Sequence, residues 1–159
     1  MELTHSMGAV SLTYFVDEPA ALLLAPRSSS ERAADLWQTT CFELFVRPQG
    51  QVAYLEYNFS PSTQWAAYAF DGYREGMTDL GCAVPPFVER GEGAGEEYVV
   101  RAGVDWGDIL SGPLQIGLSA VIEQKDGAKS YWALAHPPGR PDFHDPACFA
   151  LQLPASNRP

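Results

Sequence analysis

Apolar and polar residues alternate along most of the chain with the two-residue period of β-strands. The segment Cys41–Arg47 shows this best, because its even-numbered positions are all apolar while a glutamate and an arginine occupy odd-numbered ones. Such alternation is typical of a strand with one face in a core. We predict further strands at these segments: Val10–Val16, Val52–Ser60, Trp65–Phe70, Cys82–Val84, Phe87–Arg90, Glu97–Val104, Leu114–Gln124, Ser130–Ala135 and Phe149–Leu153.

Turn signals separate these segments. Pro48-Gln49-Gly50 predicts a hairpin between the strands on either side, and Asp126-Gly127 predicts a second hairpin. One short helical turn is predicted within the segment Ser28–Leu36, where serines precede acidic residues and alanines. We therefore predict a single all-β domain over residues 1–159, an antiparallel β-sandwich of the jelly-roll or immunoglobulin-like type with about nine to eleven strands.

The charge balance narrows the possible partners. The chain has 20 acidic and 10 basic residues, so its formal net charge is −10. A negative field repels phosphate backbones and anionic membrane surfaces, and the arginines are dispersed along the chain, so we expect neither nucleic acid nor membrane as a partner. The sequence has no signal-peptide pattern at its start and no apolar run near the roughly 20 residues of a membrane helix, which predicts a cytoplasmic protein.

The three cysteines, Cys41, Cys82 and Cys148, are odd in number and widely spaced. This pattern favours neither a disulfide framework nor a zinc knuckle. The surroundings of Cys41 and Cys148 are apolar, so we predict that both are buried thiols.

The sequence contains no recognisable catalytic or metal-binding motif. There is no GxSxG, and the four-residue spacing of His144 and Cys148 does not by itself indicate a nucleophile and its base. Asp142, His144 and Asp145 could ligate a metal, but a histidine that hydrogen-bonds loop carbonyls is the simpler interpretation. We therefore predict no catalytic residue and no metal ligand, and expect that the protein is not an enzyme.

Two glutamates, Glu43 and Glu56, lie on strands that the first hairpin joins and can project from the same face. Three interpretations remain open. They can be solvated, they can accept hydrogen bonds from sugar hydroxyls together with Asn58, or they can form the carboxylate pair of a glycosidase.

Tryptophans next to polar residues suggest a sugar-binding surface, because a flat ring stacks on the C–H face of a sugar whose hydroxyls bond at the edge. Trp37 precedes the strand that contains Glu43, and Trp132 lies in the penultimate predicted strand. Trp65 is a further candidate, for which packing in the core is the competing interpretation.

Three segments resemble the family 9 carbohydrate-binding modules and the related DOMON-like domains. Asp35–Phe45 (DLWQTTCFELF) resembles their LW…D…VE(I/L)F segment, and Tyr54–Pro61 (YLEYNFSP) is similar to their Y-x-E-x-x-x-(S/N)-P strand. Tyr131–Leu134 (YWAL) and Pro141–Pro146 (PDFHDP), followed by Phe149, resemble their W…P…FH-x-P…FG closing segment. The matches fall in order and span about residues 35–153.

This resemblance implies a β-sandwich whose sugar-binding members hold a terminal saccharide between two tryptophans. By analogy, Trp37 is one ring and Glu43 accepts a hydroxyl, while Trp132 is the candidate for the second ring and Phe149 replaces a tryptophan of some members. Other members bind haem through a methionine and a histidine, but no methionine here matches that position, so haem is not expected. Some members hold a structural calcium ion, whose ligands we cannot identify in this sequence.

The sequence thus predicts a non-catalytic domain that binds a saccharide or a similar polyhydroxylated small molecule, with no cofactor assigned. The predicted ligand-binding residues are Trp37, Glu43, Glu56, Asn58, Trp65, Trp132 and His144, of which Trp37 would stack on the sugar and His144 would order the rim. The alternative is a protein-interaction or assembly domain that uses an aromatic surface patch. A glycosidase that uses Glu43 and Glu56 is the third possibility.

Overall fold

The computed structural model describes residues 1–6, 8–93, 97–107, 110 and 112–155. Within these ranges the chain forms eleven strands and three short 3-10 helices. The strands are β1 Glu2–Ser6, β2 Ala9–Val16, β3 Cys41–Pro48, β4 Tyr54–Phe59, β5 Trp65–Phe70, β6 Thr78–Asp79, β7 Phe87–Glu92, β8 Tyr98–Asp105, β9 Leu114–Glu123, β10 Lys129–Ala133 and β11 Leu151–Leu153. The 3-10 helices are Pro19–Ala21, Leu36–Gln38 and Pro146–Cys148.

Two antiparallel sheets form a sandwich, which confirms the predicted all-β fold. The smaller sheet has the order β1-β2-β8-β7. The larger sheet has the order β10-β9-β3-β4-β5-β6, and β11 pairs with the end of β9 beyond β10. No helix in the described part of the chain is long enough and apolar enough to cross a membrane.

The main core lies between the sheets and follows the predicted alternation. On β3, Phe42, Leu44 and Val46 point inward and are buried. The register places Leu44 opposite Tyr57 of β4 and Leu118 of β9, so the apolar faces of three neighbouring strands coincide. Because side chains alternate along a strand, this register sends Glu43 to the outer face of the larger sheet.

The outer face of the larger sheet is covered rather than solvated. A second apolar cluster lies there, composed of Phe45, Tyr54, Phe70, Val121, Phe143 and Phe149. The last two come from the segment 141–149, which crosses the outer face after β10. Burial on both faces explains why every residue of β4 is buried although its sequence alternates.

Local details differ from the predicted elements. Strand β1 was not predicted, because its five residues are mostly polar. No strand forms at 82–84, and the short strand β6 lies upstream instead. No helical turn forms at 28–35, where Arg32 makes a β-bridge to Trp65; a 3-10 helix begins only at Leu36, the last residue of the predicted segment. Cys41 and Cys148 are buried free thiols, as predicted.

Candidate functional site

The structure separates the seven predicted ligand-binding residues into two groups. Glu43, Glu56, Asn58 and His144 meet on the outer face of the larger sheet. The three tryptophans do not join them in one pocket.

The polar cluster is built by strand register. Glu43 of β3 lies opposite Asn58 of β4 and Ser119 of β9. The Ser119 hydroxyl donates to Glu43 Oε2 at 2.8 Å, and Asn58 Nδ2 donates to Glu56 Oε1 at 2.7 Å. Both carboxylates are nearly inaccessible, with 3% of Glu43 and 5% of Glu56 exposed. Their hydrogen-bond partners are therefore protein groups.

Burial sets the protonation of these carboxylates. Desolvation, with the neighbouring Glu56 carboxylate, raises the pKa of Glu43 to about 8 against the opposing effects of the Ser119 hydrogen bond and Arg74. Desolvation raises the pKa of Glu56 to about 6, while the hydrogen bond from Asn58 and the charge of Arg74 lower it. At neutral pH, Glu43 is therefore mainly a neutral carboxylic acid and Glu56 mainly an anion.

His144 fastens the covering segment to this cluster. Its Nδ1 lies 2.7 Å from Tyr54 Oη, which also accepts a hydrogen bond from the Arg74 backbone N–H at 3.2 Å. The phenol proton is thus directed at Nδ1, which places the imidazole proton on Nε2, 3.8 Å from Glu56 Oε2. Burial lowers the pKa of His144 to about 4, so the ring is neutral at neutral pH.

A second set of contacts ties the same segment down at its start. Arg74 Nη2 donates to Asp142 Oδ1 at 2.8 Å, and the Tyr73 hydroxyl donates to the other oxygen of Asp142. Asp142 is thereby engaged by protein donors, and Asp145 caps the 3-10 helix by accepting from Ala147 N–H at 2.8 Å. Among the described residues no group of three or more metal-binding side chains is arranged to hold an ion.

The cluster as it stands anchors the segment 141–149 and offers little to a ligand. A sugar hydroxyl needs an accessible acceptor, and a glycosidic bond needs both carboxylates within reach of its two sides. Glu43 and Glu56 meet neither condition in this conformation. Trp37 lies beside β3 and β4 in the second 3-10 helix and is 52% exposed.

The other two tryptophans lie on the inner side of the larger sheet. Trp65 is buried in the core between the sheets, with the Arg32 guanidinium 4.6 Å above its ring. Trp132 of β10 pairs with Ala120 of β9, whose side chain belongs to the core. Since β10 is the edge strand, the inward-pointing Trp132 ring lies at the open side of the sandwich and is 63% exposed.

A cavity of about 450 Å³ opens at this edge, between β2 of the smaller sheet and β9 and β10 of the larger one. Its inner wall is formed by buried residues, among them Tyr14, Phe42 and Ile122. Trp132 lines the cavity, and its Nε1 donates to Ser130 Oγ at 2.9 Å, which restrains the orientation of the ring.

The polar side chains that line this edge cavity are acidic or neutral. Asp17, Glu18, Gln124 and Ser130 are among its lining residues, whereas no lysine or arginine is found among the described residues that line it. Glu18 has a left-handed backbone with φ 53° and begins the 3-10 helix before Leu22, which bridges to Gln124. Trp132 was predicted from the sequence but these neighbours in the cavity were not, because the two walls lie about a hundred residues apart and no local pattern marks them.

No protein-family model matches the chain, and no curated protein sequence does. The fold is similar to the crystal structure, at 2.70 Å resolution, of a proposed carbohydrate-binding protein from Bacteroides uniformis. The TM-score is 0.67 over 96% of this chain and 75% of that chain, with 18% sequence identity. At that identity the likeness shows a common fold and leaves the ligand to be argued from the site. The chain thus shares the β-sandwich of this protein.

Proposed function

We propose that this domain is a non-catalytic module that binds a neutral saccharide, or a similar polyhydroxylated molecule, in the edge cavity. The observation that carries the proposal is the exposed and hydrogen-bonded Trp132 ring at a cavity of about 450 Å³. A volume of this size lies within the range of about 300–1,000 Å³ that small-molecule sites occupy.

The chemistry of the lining fits such a ligand. The face of Trp132 provides a platform for the C–H face of a sugar ring. The carboxylates of Asp17 and Glu18 and the amide of Gln124 are suited to bond hydroxyl groups. Since its charged side chains, Asp17 and Glu18, are acidic, the cavity disfavours sugars that bear carboxylate or sulfate groups.

The sequence resemblance to DOMON-like and family 9 carbohydrate-binding domains supports a sugar as ligand, and the fold shared with the Bacteroides uniformis protein agrees with it. The site differs from the one that the sequence suggested. Trp37 and Glu43 form no common accessible surface, since Glu43 is buried on the covered outer face of the larger sheet. We therefore assign the stacking role to Trp132. Trp37 serves as the control tryptophan in the binding experiment below.

The alternative function is an interaction domain whose aromatic patch binds protein. Phe15, Trp132 and Leu134 are all exposed, and all three line the edge cavity. Light scattering distinguishes the two functions, because a stable dimer that buries Trp132 leaves the cavity closed to a sugar.

We expect Trp132→Ala to weaken binding of neutral sugars at least about tenfold, since the substitution removes the stacking surface. Trp37→Ala, an equally large truncation of another exposed tryptophan, should leave affinity unchanged. A glycan array selects the sugar, and calorimetric titration of the wild type and both variants measures the affinities.

Three results would contradict this proposal: no binding to any neutral sugar, unchanged affinity in Trp132→Ala, or a loss confined to Trp37→Ala. The last would move the site to Trp37. Urea unfolding of both variants checks that each remains folded during titration.

A further inference from the structure

A second cavity, of about 480 Å³, opens at the opposite edge of the sandwich. One side is formed by β7, the edge strand of the smaller sheet, and the other by the β4–β5 turn and the segment before residue 31. Its lining residues are Arg27, Ser28, Ser30, Thr63, Val88, Glu89 and Arg90. Two arginines and three hydroxyl groups at one opening distinguish it from the edge cavity at Trp132.

Both arginines retain hydrogen-bonding capacity. Arg27 Nη2 lies 3.5 Å from the Arg90 carbonyl oxygen, and Arg90 Nη1 donates to the Ala25 carbonyl oxygen at 3.0 Å. A guanidinium has five N–H donors, so these contacts occupy a minority of them. The lysine and arginine ion pairs among the described residues involve Arg32, Arg74 and Lys129, so Arg27 and Arg90 are in none of them, although Glu89 lines the same cavity. The chain as a whole has a net charge of −10.

The hydroxyl side of the cavity is held in place by the fold. Thr63 Oγ1 donates to the Ser28 carbonyl oxygen at 2.8 Å, and Ser28 N–H donates to the Ser62 carbonyl oxygen at 2.7 Å. Thr63 has φ 78°, a left-handed conformation that is costly for a β-branched residue and must be maintained by its surroundings. These bonds fix the segment that contains Arg27 against the β4–β5 turn.

The Tyr98 phenol lies next to these arginines. It is buried, and the Arg90 side chain is close enough to donate a hydrogen bond to its oxygen. That contact uses one further donor of Arg90 and leaves the others available to a ligand.

We propose that this second cavity is an anion site that binds a phosphate, sulfate or carboxylate group between Arg27 and Arg90. The planar guanidinium offers paired N–H donors that match the oxygens of such groups, and Ser28 and Ser30 can donate from the rim. The site is independent of the edge cavity, because the two lie at opposite edges and have linings of opposite charge.

The test measures the thermal midpoint and the affinity of the whole chain for inorganic phosphate, sulfate and acetate, with ionic strength held constant by chloride. We expect at least one of these anions to raise the midpoint, and the three arms identify which oxyanion the site prefers. In Arg27→Gln the affinity should fall about tenfold, since one charge-assisted contact is lost. Arg140→Gln, which removes an exposed arginine from a distant loop, serves as the matched control and should bind like the wild type.

The proposal is overturned if none of the three anions binds more tightly than chloride, or if Arg140→Gln weakens binding as much as Arg27→Gln. The second result would mean that anion binding depends on the net charge of the protein and not on a site at Arg27. Arg27 is exposed, so this variant is expected to fold, and Arg90→Gln provides a second variant in which the same loss of affinity is required. Sugar binding at Trp132 should be unaffected in all of these variants.

Discussion

Glu43→Gln is expected to remove a decline in stability that the wild-type protein shows as the pH rises from 6.5 to 8. The reason is the burial of Glu43, whose pKa of about 8 in the folded chain exceeds the ordinary value of 4.5 for a glutamate. The folded state holds this proton more tightly than the unfolded state does. Its contribution to stability is therefore complete below pH 4.5 and is lost as the pH rises through 8.

Stability falls by about 1.4 kcal/mol per pH unit while the folded carboxyl stays protonated, and by less as that carboxyl ionises near pH 8. The loss between pH 6.5 and 8 is therefore about 1.5 kcal/mol. Two other groups titrate at lower pH. The raised pKa of Glu56, about 6, acts in the same direction, whereas the lowered pKa of His144, about 4, makes stability rise with pH up to its ordinary value of 6.5. The window above pH 6.5 is chosen because Glu43 dominates there.

Urea unfolding at half-unit steps from pH 6.5 to 8 measures this effect as the difference between the two proteins. Other groups contribute equally to both and cancel in the difference. Glu2→Gln, which neutralises an exposed glutamate of β1, should keep the wild-type slope. Parallel curves for the wild type and Glu43→Gln would show that Glu43 is ionised in the folded state, contrary to its burial.

The second large effect is expected for Gly8→Ala, which should cost about 3 kcal/mol or more of unfolding free energy. Gly8 has φ 82°, and a Cβ atom there would lie 2.5 Å from the carbonyl oxygen of Gly107. The obstacle is backbone, so no side chain can move aside. Relief would require separation of the β1–β2 turn from the segment after β8, where Trp106 N–H donates to the Gly8 carbonyl at 2.9 Å.

Gly50→Ala is the matched control for this substitution. Gly50 has nearly the same conformation, φ 80°, but nothing lies within 4 Å of its added Cβ. Its cost should be about 1 kcal/mol, the penalty of a left-handed conformation alone. The two variants are compared by urea unfolding at one pH. Equal costs for both would mean that the turn at Gly8 can move freely, and would refute the close approach to Gly107.

Much of the larger sheet could be predicted from the sequence because its strands are mostly apolar or alternating segments bounded by turn signals. The prediction for 65–70 coincides with β5, and those for β3 and β9 are accurate to one residue. Two strands, β1 and β6, were not predictable. β1 has a mostly polar sequence and β6 has two residues, so each is a strand only because its partner provides a ladder of hydrogen bonds.

In the polar cluster, too, some features could be predicted from the sequence and others could not. The alternation of β3 and β4 puts Glu43, Glu56 and Asn58 on one face, and the structure brings His144 to them. Their burial could not be predicted, because it depends on a segment that returns across the outer face some ninety residues later.

The sequence by itself determined which residues of each long strand share a face, since the period of two is a local property of an extended chain. Tertiary structure alone decided which of those faces are accessible. Trp132 is the exposed ring of the edge cavity because β10 is an edge strand opposite β2. Glu43 is buried because β3 lies near the centre of a sheet whose outer face is covered. Accessibility depends on contacts between distant segments, and these contacts also bring Arg27 and Arg90 to one opening.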